Sequence, residues 1–196
     1  VGTRNSSRAE RLLFGSTGSK LLRNCGCPVW ITKPDANQDG EVRILVATDL
    51  SEVSTDALHI AVSAGQYVDA FVHVLHAFEY PMSGPMQRTG MREEETKEYQ
   101  DRIRLESEEA VAEQLAQSDY RTLEHGIQVH VVEGKAEVVI PDFINEHKID
   151  LLVMGTLART GIPGMLIGNT AERLLPFVEC SILTVKPTDF VSPITL

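Results

Sequence analysis

Three cysteines in 196 residues are too few to frame a disulfide-built domain. Cys25 and Cys27 lie closer than a zinc-knuckle pair and Cys180 stands alone, so they supply no four-ligand metal set. Reduced, cytosolic thiols are expected, and the chain is read as cytoplasmic. No apolar run approaches the roughly 18 residues of a membrane span. Aromatics are scarce, at 6% with a single Trp, and no basic stripe carries them. That, with a net charge of −10, excludes a nucleic-acid-binding surface. There is no Gly-x4-Gly-Lys-[Ser/Thr] phosphate loop and no Gly-x-Ser-x-Gly nucleophile elbow. There is no initiator Met either, and Val1-Gly2-Thr3 reads like the end of a buried strand.

What is present explains that opening. Residues 2–34 align with 155–187 at a constant offset of 153, without a gap, and 10 of the 33 positions are identical. Gly2/Gly155, Gly15/Gly168, Thr17/Thr170, Cys27/Cys180 and Lys33/Lys186 are among them. Such an offset is one ordinary domain, too long for a solenoid unit. The expected organisation is the tail of a first domain over 1–35, a linker over 36–41, a complete copy over 42–187 and a tail over 188–196. Residues 1–35 hold six Lys/Arg against Glu10 and Asp35, a net +4, which leaves −14 for the rest. Opposite signs favour docking of the two parts.

Within the complete copy, Val42–Ala47 is a nearly continuous apolar run, suited to a strand buried on both faces. Ser54 is expected to cap a helix running to about Gly65, with a second strand over Ala70–Ala77. A charged helix from about Arg92 to Ala116 follows, with Tyr99, Ile103, Leu105, Val111 and Leu115 on its apolar side. Strands are predicted at Ile127–Val132, Asp150–Met154 and Ser181–Lys186, with helices over Ala136–His147 and from Asn169. Alternating strands and helices predict an α/β fold with a parallel sheet and helices on both faces.

Ligands of open α/β sheets sit beyond the carboxyl ends of the strands. Asp49, Ala77 and Gly155 fall at that edge, and Gly168-Asn169-Thr170 opens a helix whose N–H groups attract anions. Arg159 and Lys135 are the nearby cations. A phosphate-bearing ligand is one reading of this edge, and an ordinary helix start is the other.

The spacing Gly155-x2-Ala158-x9-Gly168-Asn169 resembles the G-x2-G-x9-G-[S/T] loop of the universal stress protein family. Ile44–Ser51 resembles its first strand and Cys180–Pro187 its last, and the repeat resembles its tandem, two-domain branch. The resemblance implies a five-stranded parallel sheet in the order 3-2-1-4-5, adenine nucleotide alpha hydrolase-like. It implies an N-terminal helix–strand remnant, Pro28–Lys33, pairing antiparallel with Ser181–Lys186, with Trp30 packed at the seam. It also implies ATP, with or without magnesium, at the sheet edge. Ala47, Thr48 and Asp49 would then meet the adenosine and the backbone of His76 and Ala77 the adenine. Val132, Met154 and Gly155 would flank the nucleoside, and Gly168, Asn169 and Thr170 would take the phosphates.

Ala158 replaces the family's second glycine and Asn169 its Ser or Thr. Those departures leave open another phosphorylated or nucleotide-sugar ligand, or an interaction scaffold that takes no ATP. A weak ATPase is a third reading, with Asp49 its only candidate group. His73 and His76 are three apart on one strand and point to opposite faces, so packed or surface histidines are expected rather than a metal site. An internal pseudo-dimer is expected in the full-length protein. Apolar surface near Leu21 and Leu22 is expected to lie uncovered, with homo-oligomerisation as its consequence.

Overall fold

The computed structural model describes residues 16–33, 40–80, 93–156 and 167–192. Helix α1 (Ser16–Asn24) and strand β1 (Val29–Ile31) come first. Then follow β2 (Arg43–Thr48), α2 (Glu52–Val68), β3 (Phe71–Phe78) and α3 (Glu93–Leu115). The chain continues with β4 (Ile127–Glu133), α4 (Ala136–His147) and β5 (Leu151–Gly155). It closes with α5 (Asn169–Leu174) and β6 (Ser181–Val185).

One six-stranded sheet runs β1-β6-β5-β2-β3-β4. All pairs are parallel except β1 with β6, where Val29 faces Thr184, Trp30 faces Leu183 and Ile31 faces Ile182. Five parallel strands therefore stand in the expected order, and the sheet as a whole has six, with one antiparallel edge.

The near-continuous apolar strands separate into two faces by the period of two. Leu45, Leu75, Leu152, Met154 and Ile182 pack with α1, α4 and α5. Ile44, Val46, Val72, Val74 and Val153 pack with α2 and the last turns of α3. Leu22, Val29 and Ile31 join the first cluster. The apolar surface expected to lie bare on α1 is thus covered, with Leu22 buried and Leu21 packed against the same core. Apolar burial dominates that docking. Its ion pair with α5, Arg23 to Glu172 at 2.6 Å, is solvent-exposed on both sides and contributes little.

Two local expectations change. Ser51, not Ser54, caps α2, its side chain accepting from the Ser54 N–H. Ser54 is freed for a buried polar network. Leu105 is exposed, and the residues of α3 that are buried are Val111, Gln114 and Leu115. Trp30 is half-exposed, because Val29 and Ile31 take the inward positions of a strand only three residues long.

Gly65 lets α2 lie close on the sheet: a Cβ there would stand 2.8 Å from Val72 Cγ2 and 3.0 Å from Leu123 Cδ2. Overpacking of that kind costs about 1–3 kcal/mol, against a gain of about 1 kcal/mol in helix propensity. Gly65→Ala is expected to be a net loss of about 1 kcal/mol, measured by urea denaturation. A more stable variant would show that Val72 and Leu123 repack without strain.

Candidate functional site

The carboxyl edge of the sheet is assembled by strand register. Ala47 pairs with Met154, so Thr48 stands level with Gly155 across the β2/β5 crevice, where the strand order reverses. On the other side Thr48 pairs with His76, and Ala77 pairs with Val132. Ala47, Thr48, His76, Ala77, Val132, Met154 and Gly155 thereby occupy one edge. Ala47, Thr48 and Met154 are buried, whereas Asp49 just beyond β2 is exposed.

The chain leaving β5 is pinned at both ends. The Thr156 N–H donates to the Val185 carbonyl at 3.1 Å, and the Gly168 N–H donates to the Thr156 carbonyl at 2.6 Å. A loop that starts after Gly155 is thus brought back beside its own origin before α5 begins. Ala158 and Arg159 lie outside the described residues. Gly168 is extended at φ −74°, ψ 153°, and α5 has no side-chain cap. Asn169 and Thr170 at its start are exposed. Gly155 has a packing role too, since a Cβ there would meet Val53 Cγ1 at 3.1 Å. Lys135 precedes α4 and is exposed.

Thr156 escaped the sequence reading. It is buried, and both bonds that close the loop run through its backbone. The repeat Gly2-Thr3/Gly155-Thr156 was the available signal.

Asp49 is held by its own turn. Its Oδ1 accepts from the Ser51 N–H at 3.1 Å and the Ser51 hydroxyl at 2.5 Å. Leu50 between them has φ +63°, a left-handed conformation uncommon outside glycine. His76 Nδ1 lies 3.0 Å from the Thr48 carbonyl. A carbonyl only accepts, so Nδ1 carries the proton and a neutral His76 keeps Nε2 as an acceptor. The His76 side chain as well as its backbone therefore reaches this edge.

The other histidines behave differently. His73, His130 and His147 come together with Phe143 on the α4 side, with ring centroids 5.4, 5.5 and 5.6 Å apart. His73 Nδ1 and His130 Nε2 are 3.2 Å apart, a distance at which one donates and the other accepts. Burial first, then His130, His147 and Arg43, pushes the His73 pKa down to about 4. Burial and His147 also lower His130. Residues on β3, β4 and α4 meet here through tertiary packing, which no spacing in the sequence reveals. Among the described residues, no group of three or more His, Cys, Asp or Glu is arranged to hold a metal ion.

The model of the universal stress protein family matches residues 1–33 and 42–186. The chain belongs to that family. Universal stress protein E of Escherichia coli K12 is 30% identical over 199 residues, covering 96% of this chain and 60% of that protein. The chain thus spans 60% of the length of that relative. A universal stress protein of Methanocaldococcus jannaschii is 29% identical over 146 residues, 74% of this chain and 81% of its own length. Among solved structures, a protein of unknown function from Pseudomonas aeruginosa PAO1 superposes with a TM-score of 0.71 at 27% identity. It covers 96% of this chain and 62% of that one. A universal stress protein from Archaeoglobus fulgidus DSM 4304 shares the fold, with a TM-score of 0.59 at 21% identity. The coverage is 96% of this chain and 60% of that one. The universal stress protein fold accounts for the parallel sheet, and no helix among the described residues is long and apolar enough to cross a membrane.

Proposed function

We propose that this universal stress protein chain binds ATP, or a related adenine nucleotide, at the carboxyl edge of its sheet and acts in the cytoplasm by binding rather than by turnover. It would be the complete second domain of a tandem protein, with 1–35 the tail of the first domain.

The observation that carries the reading is the closure of the loop. The Gly168 N–H on the Thr156 carbonyl draws the start of α5 to the end of β5. Register places that end level with Thr48 and next to the exposed Asp49. A nucleotide fits such an arrangement. Asp49 offers a carboxylate to the sugar or base, its Oδ1 fixed by Ser51. His76 offers Nε2, and backbone N–H groups near Gly168 offer donors to phosphate. Magnesium would offset the repulsion between a polyphosphate and a domain of net negative charge.

Calorimetric titration of the chain with ATP and magnesium tests this. Saturable binding is expected, and Asp49→Ala should weaken it at least tenfold, about 1.4 kcal/mol. No heat, with the fold intact, would favour the scaffold reading, to which the exposed Asn169 in place of Ser or Thr lends some support. Phosphate release that disappears in Asp49→Ala would favour the weak ATPase.

A further inference from the structure

Gln114 is the only polar side chain of α3 buried among the described residues, and it sits far in sequence from the edge just described. Its amide oxygen accepts the Thr48 hydroxyl at 2.6 Å. Its amide nitrogen lies 2.9 Å from Thr55 Oγ1, 3.1 Å from Ser54 Oγ and 3.4 Å from the Ser51 carbonyl. The protons can be assigned one by one. Ser54 Oγ–H and Thr55 Oγ1–H both reach the Ser51 carbonyl, at 2.8 and 3.2 Å. The hydroxyl of Ser51 goes to Asp49 Oδ1. The Thr48 hydroxyl has two acceptors in reach, Gln114 Oε1 at 2.6 Å and Ser54 Oγ at 2.9 Å, and the shorter contact to an oxygen that cannot donate directs its single proton to Gln114. The Thr48 oxygen is then oriented to accept the Leu50 N–H at 3.0 Å.

That last bond holds the residue with the strained backbone. Leu50 at φ +63° keeps its conformation only where surrounding contacts over-determine it. The contacts are the Leu50 N–H on Thr48, the Ser51 N–H on Asp49 and the Ser54 N–H on Ser51 Oγ at 3.2 Å. Of these three oxygens Gln114 bonds Thr48 Oγ1 directly, and its partner Ser54 donates its N–H to Ser51 Oγ, which in turn donates to Asp49.

We infer that Gln114 is the positioning residue of the nucleotide edge: a side chain on α3 that sets the Thr48–Ser51 turn and, through Ser51, the direction of the Asp49 carboxylate. The inference rests on the nucleotide reading above for its functional consequence and on the turn itself for its structural one.

The test compares Gln114→Met, which keeps length and removes every bond, with Leu115→Ala, which removes a buried apolar neighbour on the same helix. Both variants are checked for folding by circular dichroism. Gln114→Met is expected to bind ATP with magnesium at least tenfold more weakly, and Leu115→Ala to bind like the unmodified chain despite a lower melting temperature. Amide hydrogen exchange without ligand is the second measurement. Gln114→Met should speed exchange at Leu50 and Ser51 at least tenfold, and Leu115→Ala should not. Equal ATP affinity in Gln114→Met, or an equal loss in Leu115→Ala, overturns the role in binding. Unchanged exchange at Leu50 and Ser51 overturns the positioning itself. If the unmodified chain takes no ATP, the nucleotide reading fails, and the exchange result alone decides whether Gln114 sets the turn.

Discussion

Lowering the pH from about 7 to about 4 is expected to cost this protein on the order of 2–3 kcal/mol of stability through His73 alone. The imidazole is 5% exposed and its pKa falls from 6.5 to about 4 in the folded chain. Below 6.5 the unfolded chain takes up a proton that the folded chain refuses, so stability is full above that pH and drains away as pH falls toward 4. His130 is lowered in the same direction and deepens the loss. Burial of the imidazole is the main cause, and the contact with His130 adds to it. If His73 and His130 are both protonated, both nitrogens of the 3.2 Å contact become donors and two cations face each other. His147 on α4 and Arg43 on β2 add positive charge from the neighbouring elements. Thermal melts across this range check the sign and size. His73→Phe should flatten most of the pH dependence while keeping a ring against Phe143 and His147. An equally steep dependence in that variant would place the acid sensitivity elsewhere.

Ile31→Ala should be as damaging at neutral pH. Ile31 is 0% exposed and belongs to the cluster that holds Leu22, Leu152 and Ile182. Removing such a side chain from a packed core costs about 2–5 kcal/mol, or very roughly 5–15 °C in melting temperature for a domain of this size. Trp30→Ala, one residue earlier, should cost less, about 1–2 kcal/mol, because a half-exposed side chain sacrifices less burial. The contrast between the two variants is the measurement. Loss of β1 would also open the β6 edge, so light scattering should report more self-association for Ile31→Ala than for Trp30→Ala. Equal destabilisation by both would mean that β1 does not hold the inward register that pairs Ile31 with Ile182.

The contrast also shows what could be read before any coordinates. The repeat identified β1 as a copy of β6, and its antiparallel pairing followed from the resemblance. Its side-chain directions did not follow. Val-Trp-Ile is too short and too apolar for period-two alternation to declare which side is buried. Ser54 failed as the cap. A serine before an apolar helix is a good cap, but Asp49-Leu50-Ser51-Glu52 supplies another three residues earlier. What decided between them was the left-handed Leu50 and the bond from the Ser54 N–H to Ser51.

At the sheet edge, Asp49, Gly155 and Gly168 could be named from spacing, because glycine and a strand-end acid mark where a chain turns. Thr156 and Gln114 could not. Thr156 acts through its backbone, so that only the Gly2-Thr3/Gly155-Thr156 repeat pointed to it, and Gln114 is a polar residue outside the apolar side expected for its helix.

By itself the sequence determined the alternation of strands and helices, the repeat of residues 2–34 in 155–187 and the places where the chain turns at the carboxyl edge of the sheet. These follow from periodicity and from glycine spacing, which act over a few residues. Only the tertiary structure decided that His73, His130 and His147 would share one pocket, that Ile31 rather than Trp30 would enter the core, and that Gln114 would reach the turn at Asp49. Each of those depends on which side chains from distant segments share a buried volume, and packing of that kind is fixed by the whole sheet rather than by any stretch of chain.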